Sequence, residues 1–387
     1  MSTQISEKSE IEYWINELIT HPVFIFPRLN MSAIQIQELL FRLNRYGEEW
    51  SKSHSSNLVV FMPQNEETRD LLRNFPMPYV VVSLTGRNSL INTLLPLKAI
   101  KYVRSMDSKF TFICGDLLLA PVTAFIIKCV FPFRVKSQIS LHGNPSSAWG
   151  FSPLGVAKRM LMRFALRNSE SIRVVSTHIK NYLCDVKGLP RDHIVIAPIP
   201  TVPPRRQRIA PSGPRISFVG RLHEERNTSE WIEIVEQLLD IDPHFSAIVI
   251  GGGNSLLSMK ERLSSFIDDR VKFEGELNKQ ELEESWDQIS ILLSPAKQEG
   301  FGLAIREALI RGVFVIARRN AGTQFLFEKM NGIYLYDSVG EAVELARELK
   351  DKKFLESDLA LNLEFLSLEN AESLSALIAS WEFKRPI

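Results

Sequence analysis

The chain has 387 residues, of which 45% are hydrophobic and 24% charged, proportions of a globular protein that exclude a disordered or fibrous one. At roughly 150 residues per domain this length predicts two or three domains and excludes a single small module. The net charge is +1, yet residues 1–200 hold 23 basic and 15 acidic side chains while residues 201–387 hold 23 and 30.

That imbalance has two readings. Either the first half meets something anionic, a phospholipid surface or a phosphorylated acceptor, or the charges are an uneven solvated scatter. The three cysteines, Cys114, Cys129 and Cys184, form no short pair, so neither a redox couple nor a metal clamp is expected and a reducing compartment is. The opening MSTQISEKSEIEYW lacks a basic flank followed by an apolar run, so a cytoplasmic location is expected rather than export.

In chain order, Ile11, Trp14, Ile15, Leu18 and Ile19 sit at helical spacing. Glu10, Glu12 and Glu17 beside them favour packing on protein over an anionic membrane. Seven β-type runs follow: VFIF (Val23–Phe26), LVVFM (Leu58–Met62), YVVVSL (Tyr79–Leu84), FTFIC (Phe110–Cys114), SQISL (Ser137–Leu141), IRVVS (Ile172–Ser176) and IVIAP (Ile194–Pro198). Segments of helical length separate them, the alternation of a parallel sheet covered on both faces.

Two segments of this half are distinctive. Leu117–Phe133 is the most apolar stretch, but it is short for a bilayer span and holds Pro121, Lys128 and Pro132, so a buried helix is expected. Val156–Asn168 sets Lys158, Arg159, Arg163 and Arg167 against Met160, Leu161, Phe164 and Leu166. Such a helix either covers a sheet, the reading preferred here, or lies against an anionic membrane.

The stretch PIPTVPPRRQRIAPSGP, Pro198–Pro214, has neither helical nor strand period and is read as an interdomain linker. Six further runs follow: ISFVG (Ile216–Gly220), SAIVIG (Ser246–Gly251), VKFEG (Val271–Gly275), ISILLS (Ile289–Ser294), VFVIAR (Val313–Arg318) and IYLY (Ile333–Tyr336). Their near-continuous apolar character suits strands covered on both faces. Asp240 and Asp242 form a D-x-D read as a turn at a helix end rather than a metal site, and Gly251–Gly253 alone mean a tight turn. Leu377, Ile378 and Trp381 close the chain in an amphipathic helix.

The segment SPAKQEGFGLAIREALIRG, Ser294–Gly312, ends a strand, turns through glycines and enters a helix. With the helix starting near Gly302, Glu299 lies in the loop before it and Glu307 about a turn inside. Between them a helix N-terminus would offer unpaired N–H groups to a phosphate. Carboxylates accept from paired hydroxyls, so one on each side of a diphosphate could hold a sugar and a ribose.

These residues, with FVGRLHEERN (Phe218–Asn227), AIVIGGG (Ala247–Gly253), VKFEGEL (Val271–Leu277) and GVFVIAR (Gly312–Arg318), resemble in order and spacing the nucleotide-sugar-binding domain of GT-B, family 4 retaining glycosyltransferases. The resemblance is strong over residues 216–336 and weak in the first half, where SLHG (Ser140–Gly143) and VVSTHIKNYL (Val174–Leu183) carry it. It implies an α/β fold of two Rossmann-like, doubly wound domains facing a central cleft. The expected boundaries are 1–201 on the acceptor side and 202–372 for the nucleotide sugar, with the helix at 373–387 packing back on the first.

The resemblance further implies that Arg221 and Arg226, beside Gly220, neutralise the donor diphosphate. Arg226 stands for the usual lysine and Asn227 for the usual glycine. Glu299 would be catalytic and accept donor-sugar hydroxyls, with Gly300, Phe301, Gly302 and Leu303 alongside, and Glu307 would hold the ribose. His142 would face the transferred sugar, against the plainer reading of an ordinary strand-end histidine. Two departures are noted: PRLNMS (Pro27–Ser32) replaces adjacent glycines, and NAGTQ (Asn320–Gln324) replaces paired glycines and a glutamate, with Gln324 the nearest counterpart.

The expected function is metal-independent, cofactor-free transfer of a hexose-type sugar, with retention, from a nucleotide-diphosphate sugar such as a UDP or GDP conjugate. The acceptor would be a glycan or lipid-linked hydroxyl in cell-surface polysaccharide or glycolipid synthesis. An anionic membrane surface, at the inner face of the plasma membrane, is the alternative partner that the basic first half leaves open, and nucleic acid is not expected; the sequence leaves oligomeric state open. The rival reading is a non-catalytic GT-B-fold protein that binds a glycan or stabilises a true transferase. A sugar-diphosphate epimerase on the same fold lacks evident signature residues.

Overall fold

A computed structural model describes residues 19–26, 33–64, 79–85, 95–116, 118–143, 153–211, 213–267 and 269–382. The PRLNMS departure, and all of the N-terminal amphipathic segment but Ile19, lie outside the described residues. The chain divides into two compact units, Met1–Ala197 with Ser373–Ile387, and Pro198–Glu372.

In the first unit seven parallel strands pair in the order β3-β2-β1-β4-β5-β6-β7. They are β1 (Thr20–Ile25), β2 (Leu58–Gln64), β3 (Tyr79–Thr85), β4 (Lys109–Cys114), β5 (Val135–Leu141), β6 (Ser171–Val174) and β7 (Ile194–Ile196). Among the described residues the α-helices between them are α1 (Ala33–Ser51), α2 (Leu95–Arg104), α3 (Leu119–Val130), α4 (Pro153–Asn168) and α5 (Thr177–Asn181). On one face of the sheet Phe24, Val60 and Ile113 meet Leu40, Leu43 and Trp50 of α1.

The second unit repeats the plan with six parallel strands in the order β10-β9-β8-β11-β12-β13. Here the strands are β8 (Arg215–Val219), β9 (Ser246–Ile250), β10 (Val271–Gly275), β11 (Ile291–Ser294), β12 (Phe314–Arg318) and β13 (Ile333–Tyr336). The helices are α6 (Thr228–Ile241), α7 (Leu256–Arg262), α8 (Lys279–Ser285), α9 (Leu303–Leu309), α10 (Ala321–Lys329) and α11 (Val339–Leu349). Strand side chains alternate between two cores, as the period of two demands: Ile291 and Leu293 join one cluster, Leu292 the other. In both units the strand order reverses beside the first strand, at β1/β4 and at β8/β11. Ligands in such sheets bind beyond the carboxyl ends of the strands at these points.

The last helix, α12 (Glu356–Trp381), contributes Leu366 to a core of the second unit. Its final turns place Leu374, Leu377, Ile378 and Trp381 in the core of the first. There Thr111 Oγ1 donates to the Trp381 carbonyl at 2.6 Å, and the indole N–H donates to Gln138 Oε1 at 3.2 Å.

The expectation of a buried helix in the apolar 117–133 stretch needs correction. Helix α3 buries Ala120, Pro121, Thr123, Ala124 and Ile127, whereas Ile126 and Val130 are exposed. One helical face meets the protein and the other does not. Among the described residues no helix is long and apolar enough to cross a membrane.

Candidate functional site

The carboxyl ends of β8 and β11 carry the two motifs that the sequence singles out. After β8 the chain leaves through Gly220, whose amide donates to the Ile250 carbonyl at 3.0 Å and whose φ is +141°. The glycine triplet after β9 is more than a turn. A Cβ on Gly251 would sit 1.9 Å from the Gly220 carbonyl oxygen, and one on Gly253 would sit 2.4 Å from that of Leu222. Bare backbone at these positions lets the two loops lie against each other.

Arg221 is exposed and pairs with Glu225 at 2.8 Å. Arg226 instead reaches across to the other motif, where its Nη1 donates to Glu299 Oε2 at 2.9 Å. Asn227, the residue in place of the usual glycine, has φ +55° and ψ +45°. Asparagine tolerates the left-handed region better than most side chains. Its amide group donates to Glu230 Oε2 at 2.9 Å and to the Pro295 carbonyl at 3.1 Å, tying the start of α6 to the strand end at β11.

Beyond β11, the other oxygen of Glu299 accepts from the amides of Gly300 and Gly302, both at 3.0 Å. The amide cluster expected to await a phosphate is thus engaged by the chain's own carboxylate, at the head of a helix of only seven residues. Gly302 takes φ +74°, as expected of a residue that turns a loop into a helix, and Leu303 begins α9 partly exposed. Phe301 is buried under the guanidinium of Arg306, 4.1 Å from its ring centroid. Arg306 Nε also donates to the Phe301 carbonyl at 3.1 Å, and its Nη1 pairs with Glu369 of α12 at 2.6 Å. Burial lowers the Arg306 pKa, and Glu369 opposes that shift. Glu307 lies half-buried on α9, with its carbonyl accepting from Arg311 at 2.9 Å.

Most of the further supports carry no local sequence signal. Glu230 accepts from Arg318 Nη1 and from Tyr336 OH, each at 2.7 Å, bringing β12 and β13 to the foot of α6. Burial, then the bond to Glu230, pushes the Tyr336 phenol well above its ordinary value, so it remains a donor. Asn320 caps α10 by accepting from the amides of Gly322 and Thr323 and donates to the Ala296 carbonyl. Gly322 lets that helix end touch the Glu299 loop: a Cβ there would lie 2.2 Å from the Glu299 carbonyl oxygen. The N-x-x-T spacing of Asn320 and Thr323 is a capping signal that a closer reading of the sequence could have found. Gln324 stands on α10, accepting from Arg319 and donating to Glu328.

His142 belongs to the first unit, one residue beyond β5. Desolvation by surrounding atoms, then the cations Arg173 and Arg42, holds its imidazole below the ordinary 6.5. The residue itself is exposed at the end of β5.

Asp242 closes α6 and pairs with Lys350 at 2.9 Å. Among the described residues no group of three or more His, Cys, Asp or Glu side chains could hold a metal ion. A cavity of about 1100 Å³ opens elsewhere in the second unit, lined by Arg208, Ser290, Arg311, Gly312 and Lys353. Ser290 and Gly312 precede β11 and β12, so this cavity lies at the beginnings of the strands, away from Glu299.

Known proteins share the fold of this chain. The profile of the family described as Glycosyl transferases group 1 matches residues 204–357. HepE from Anabaena, in complex with UDP-glucose, superposes with a TM-score of 0.67 at 15% identity, covering 93% of this chain and 98% of that one. The lipopolysaccharide outer core galactosyltransferase WaaB, in its apo form, gives 0.67 at 13% identity, with 93% and 99% covered.

The fold is GT-B.

In sequence, the chain is 27% identical over 252 residues to the 2-deoxystreptamine glucosyltransferase of Streptomyces kanamyceticus, which is 60% of this chain and 64% of that one. The GT-B chain spans less than two thirds of the length of the curated relatives it matches, 64% of this one and 55% of a second.

Proposed function

We propose that the protein is a glycosyltransferase that takes a hexose-type sugar from a nucleotide-diphosphate sugar and passes it to an acceptor hydroxyl with retention at the anomeric carbon. The observation that carries this reading is the meeting of Arg226 and Glu299 at the switch point of the second sheet. A cation suited to a diphosphate and a carboxylate suited to sugar hydroxyls stand within hydrogen-bond reach of each other. The Anabaena complex with UDP-glucose and the Streptomyces glucosyltransferase support a UDP-hexose as the first donor to test.

In this reading Arg226 leaves Glu299 for the diphosphate when donor binds, and Arg221 leaves Glu225 to join it. Glu299 keeps its bonds to Gly300 and Gly302, so Oε1 stays fixed while Oε2 becomes available to sugar hydroxyls. Glu307 takes the ribose hydroxyls, and His142, kept neutral, contacts the transferred sugar. The departing diphosphate accepts the acceptor's proton on the same face, and the arginines stabilise its charge without calling on a metal ion. The acceptor assigned is a glycan or lipid-linked hydroxyl, handled on the cytoplasmic side.

Thermal-shift titration with UDP, GDP, ADP and their hexose conjugates tests the reading, because a ligand that binds only the native state raises the midpoint. A selective shift that Glu307→Ala abolishes supports it. No shift with any nucleotide overturns it in favour of a non-catalytic glycan-binding role.

A further inference from the structure

Helices α2, α3 and α4 pack side by side in the first unit: α2 against α3, and α3 against α4. Phe125 of α3 meets Phe164 of α4 edge to face with ring centroids 4.9 Å apart. Together the three helices carry Lys98, Lys101, Arg104, Lys128, Lys158, Arg159, Arg163 and Arg167 and no aspartate or glutamate, with Lys128 paired to Glu170 just beyond α4. The whole chain has 46 basic and 45 acidic residues, so this excess of cations is local to the three helices.

Helix α4 is apolar on its outer side as well as on its buried one. Its buried side is built from Gly155, Met162, Ala165 and Leu166. Val156, Met160 and Phe164 recur every four residues along the opposite stripe and are exposed, Met160 by 65% and Phe164 by 40%. Leu154 and Leu161 are exposed beside them, and Arg163 and Arg167, also exposed, flank the stripe. On the neighbouring helices Ile126, Val130 and Leu97 are exposed too, as is Phe133 just beyond α3. A helix with outward apolar groups and only cationic companions has the composition of a segment lying in the plane of a lipid headgroup layer.

We infer that the outer surface of α2, α3 and α4 docks on an anionic phospholipid bilayer, with Val156, Met160 and Phe164 entering the headgroup boundary and the surrounding cations meeting lipid phosphates. Charge decides the occupant. Two copies of this face would oppose cation to cation, which disfavours self-association, and nucleic acid would leave the apolar stripe uncovered. An anionic bilayer satisfies both components, each nearby cation strengthening partition roughly fivefold. The inference rests on the first unit alone and stands or falls separately from the donor site.

Flotation of the full chain with vesicles tests it, comparing phosphatidylcholine alone with a phosphatidylcholine–phosphatidylglycerol mixture at low and high salt. The wild-type chain is expected to float with the mixture and to be only partly released by salt. Arg163→Glu combined with Arg167→Glu should weaken flotation by more than about tenfold. Met160→Asp should abolish the part that salt does not release. The pair Arg205→Glu and Lys353→Glu, exposed cations of the second unit, should change little. Thermal midpoints of all variants confirm folding, and because Met160, Arg163 and Arg167 are exposed, those midpoints should match the wild type. Absence of flotation at low salt overturns the inference, as does flotation that the α4 variants leave unchanged. A change of oligomeric state in those variants without loss of flotation would assign the face to a protein partner instead.

Discussion

Arg226 and Glu299 stand 73 residues apart in sequence and 2.9 Å apart in the fold. The pair is only partly accessible to solvent, with side-chain exposures of 35% and 10%. Each therefore restrains the other where the strand order of the second sheet reverses, and the proposed donor would have to part them. Glu299→Gln is expected to lower the transfer rate about a hundredfold, the cost of removing a charge-stabilising contact. Glutamine keeps an oxygen for the Gly300 and Gly302 amides but loses the charge that pairs with Arg226, which should cost up to about 1 kcal/mol of stability. Initial rates and urea unfolding separate the two effects; an unchanged rate would remove Glu299 from the donor site.

Gly322→Ala sets a methyl group against the Glu299 backbone, with the carbonyl oxygen at 2.2 Å and its carbon at 2.9 Å. Neither atom is the end of a flexible side chain, so loop or helix must shift, at a cost of about 1–3 kcal/mol. Nucleotide affinity should fall with it. Gly340→Ala on α11 meets nothing within 4 Å and should stabilise by about 0.5–1 kcal/mol. Chemical denaturation of the two variants, side by side, reads the contrast.

Arg306 joins the loop at Phe301 to α12 through one guanidinium. Arg306→Met leaves Glu369 with no counter-charge in a mostly buried place, and a loss of about 3 kcal/mol is expected. Arg306→Lys should not restore it, because a single ammonium cannot serve both the Phe301 carbonyl and the carboxylate in that fork. Unfolding midpoints of the two variants check this; full stability with lysine would refute the double role.

Asn227→Gly should be nearly neutral, since glycine adopts φ +55° freely but loses the bonds to Glu230 and Pro295. Asn227→Val should cost about 1–2 kcal/mol, because a β-branched side chain in the left-handed region adds strain to the same lost bonds. Thermal melts of the two substitutions give the ordering.

Asp242 has a pKa held below the ordinary 3.8, first by its bond to Lys350 and then by the His244 amide. A depressed carboxylate binds fewer protons folded than unfolded. Its contribution is therefore complete above the unfolded value and is lost as pH falls through the folded one. Asp242→Asn should flatten the decline in melting temperature on acidification below about pH 3.8. An identical decline in the variant would show that other carboxylates carry it.

The strands were the most legible part of the sequence because each is a short apolar run with a face on each of two cores. Ile291, Leu292 and Leu293 show why: every residue of the run has somewhere to be buried. The glycine loop around Glu299 was legible for a different reason, since φ +74° at Gly302 leaves little choice of residue. What escaped notice depends on distance along the chain. The Glu230–Tyr336 bond joins residues 106 apart, and no local spacing announces it. The apolar 117–133 stretch reads as more buried than it is because hydrophobicity alone does not say which face of a helix meets the protein, and Ile126 faces outward while Ile127 is fully covered.

Helix α12 imposes an order on biosynthesis. Domains generally fold as units, the N-terminal one first, as a chain emerges. Here Trp381 fills the space among Phe24, Tyr46 and Trp50, with its ring 5.5 Å from that of Phe24. The unit translated first is thus finished last, and until residue 381 is made its sheet has an open face beside α1. A nascent chain stalled after Glu372 would present that apolar surface to chaperones even though the whole of the second unit had already been synthesised.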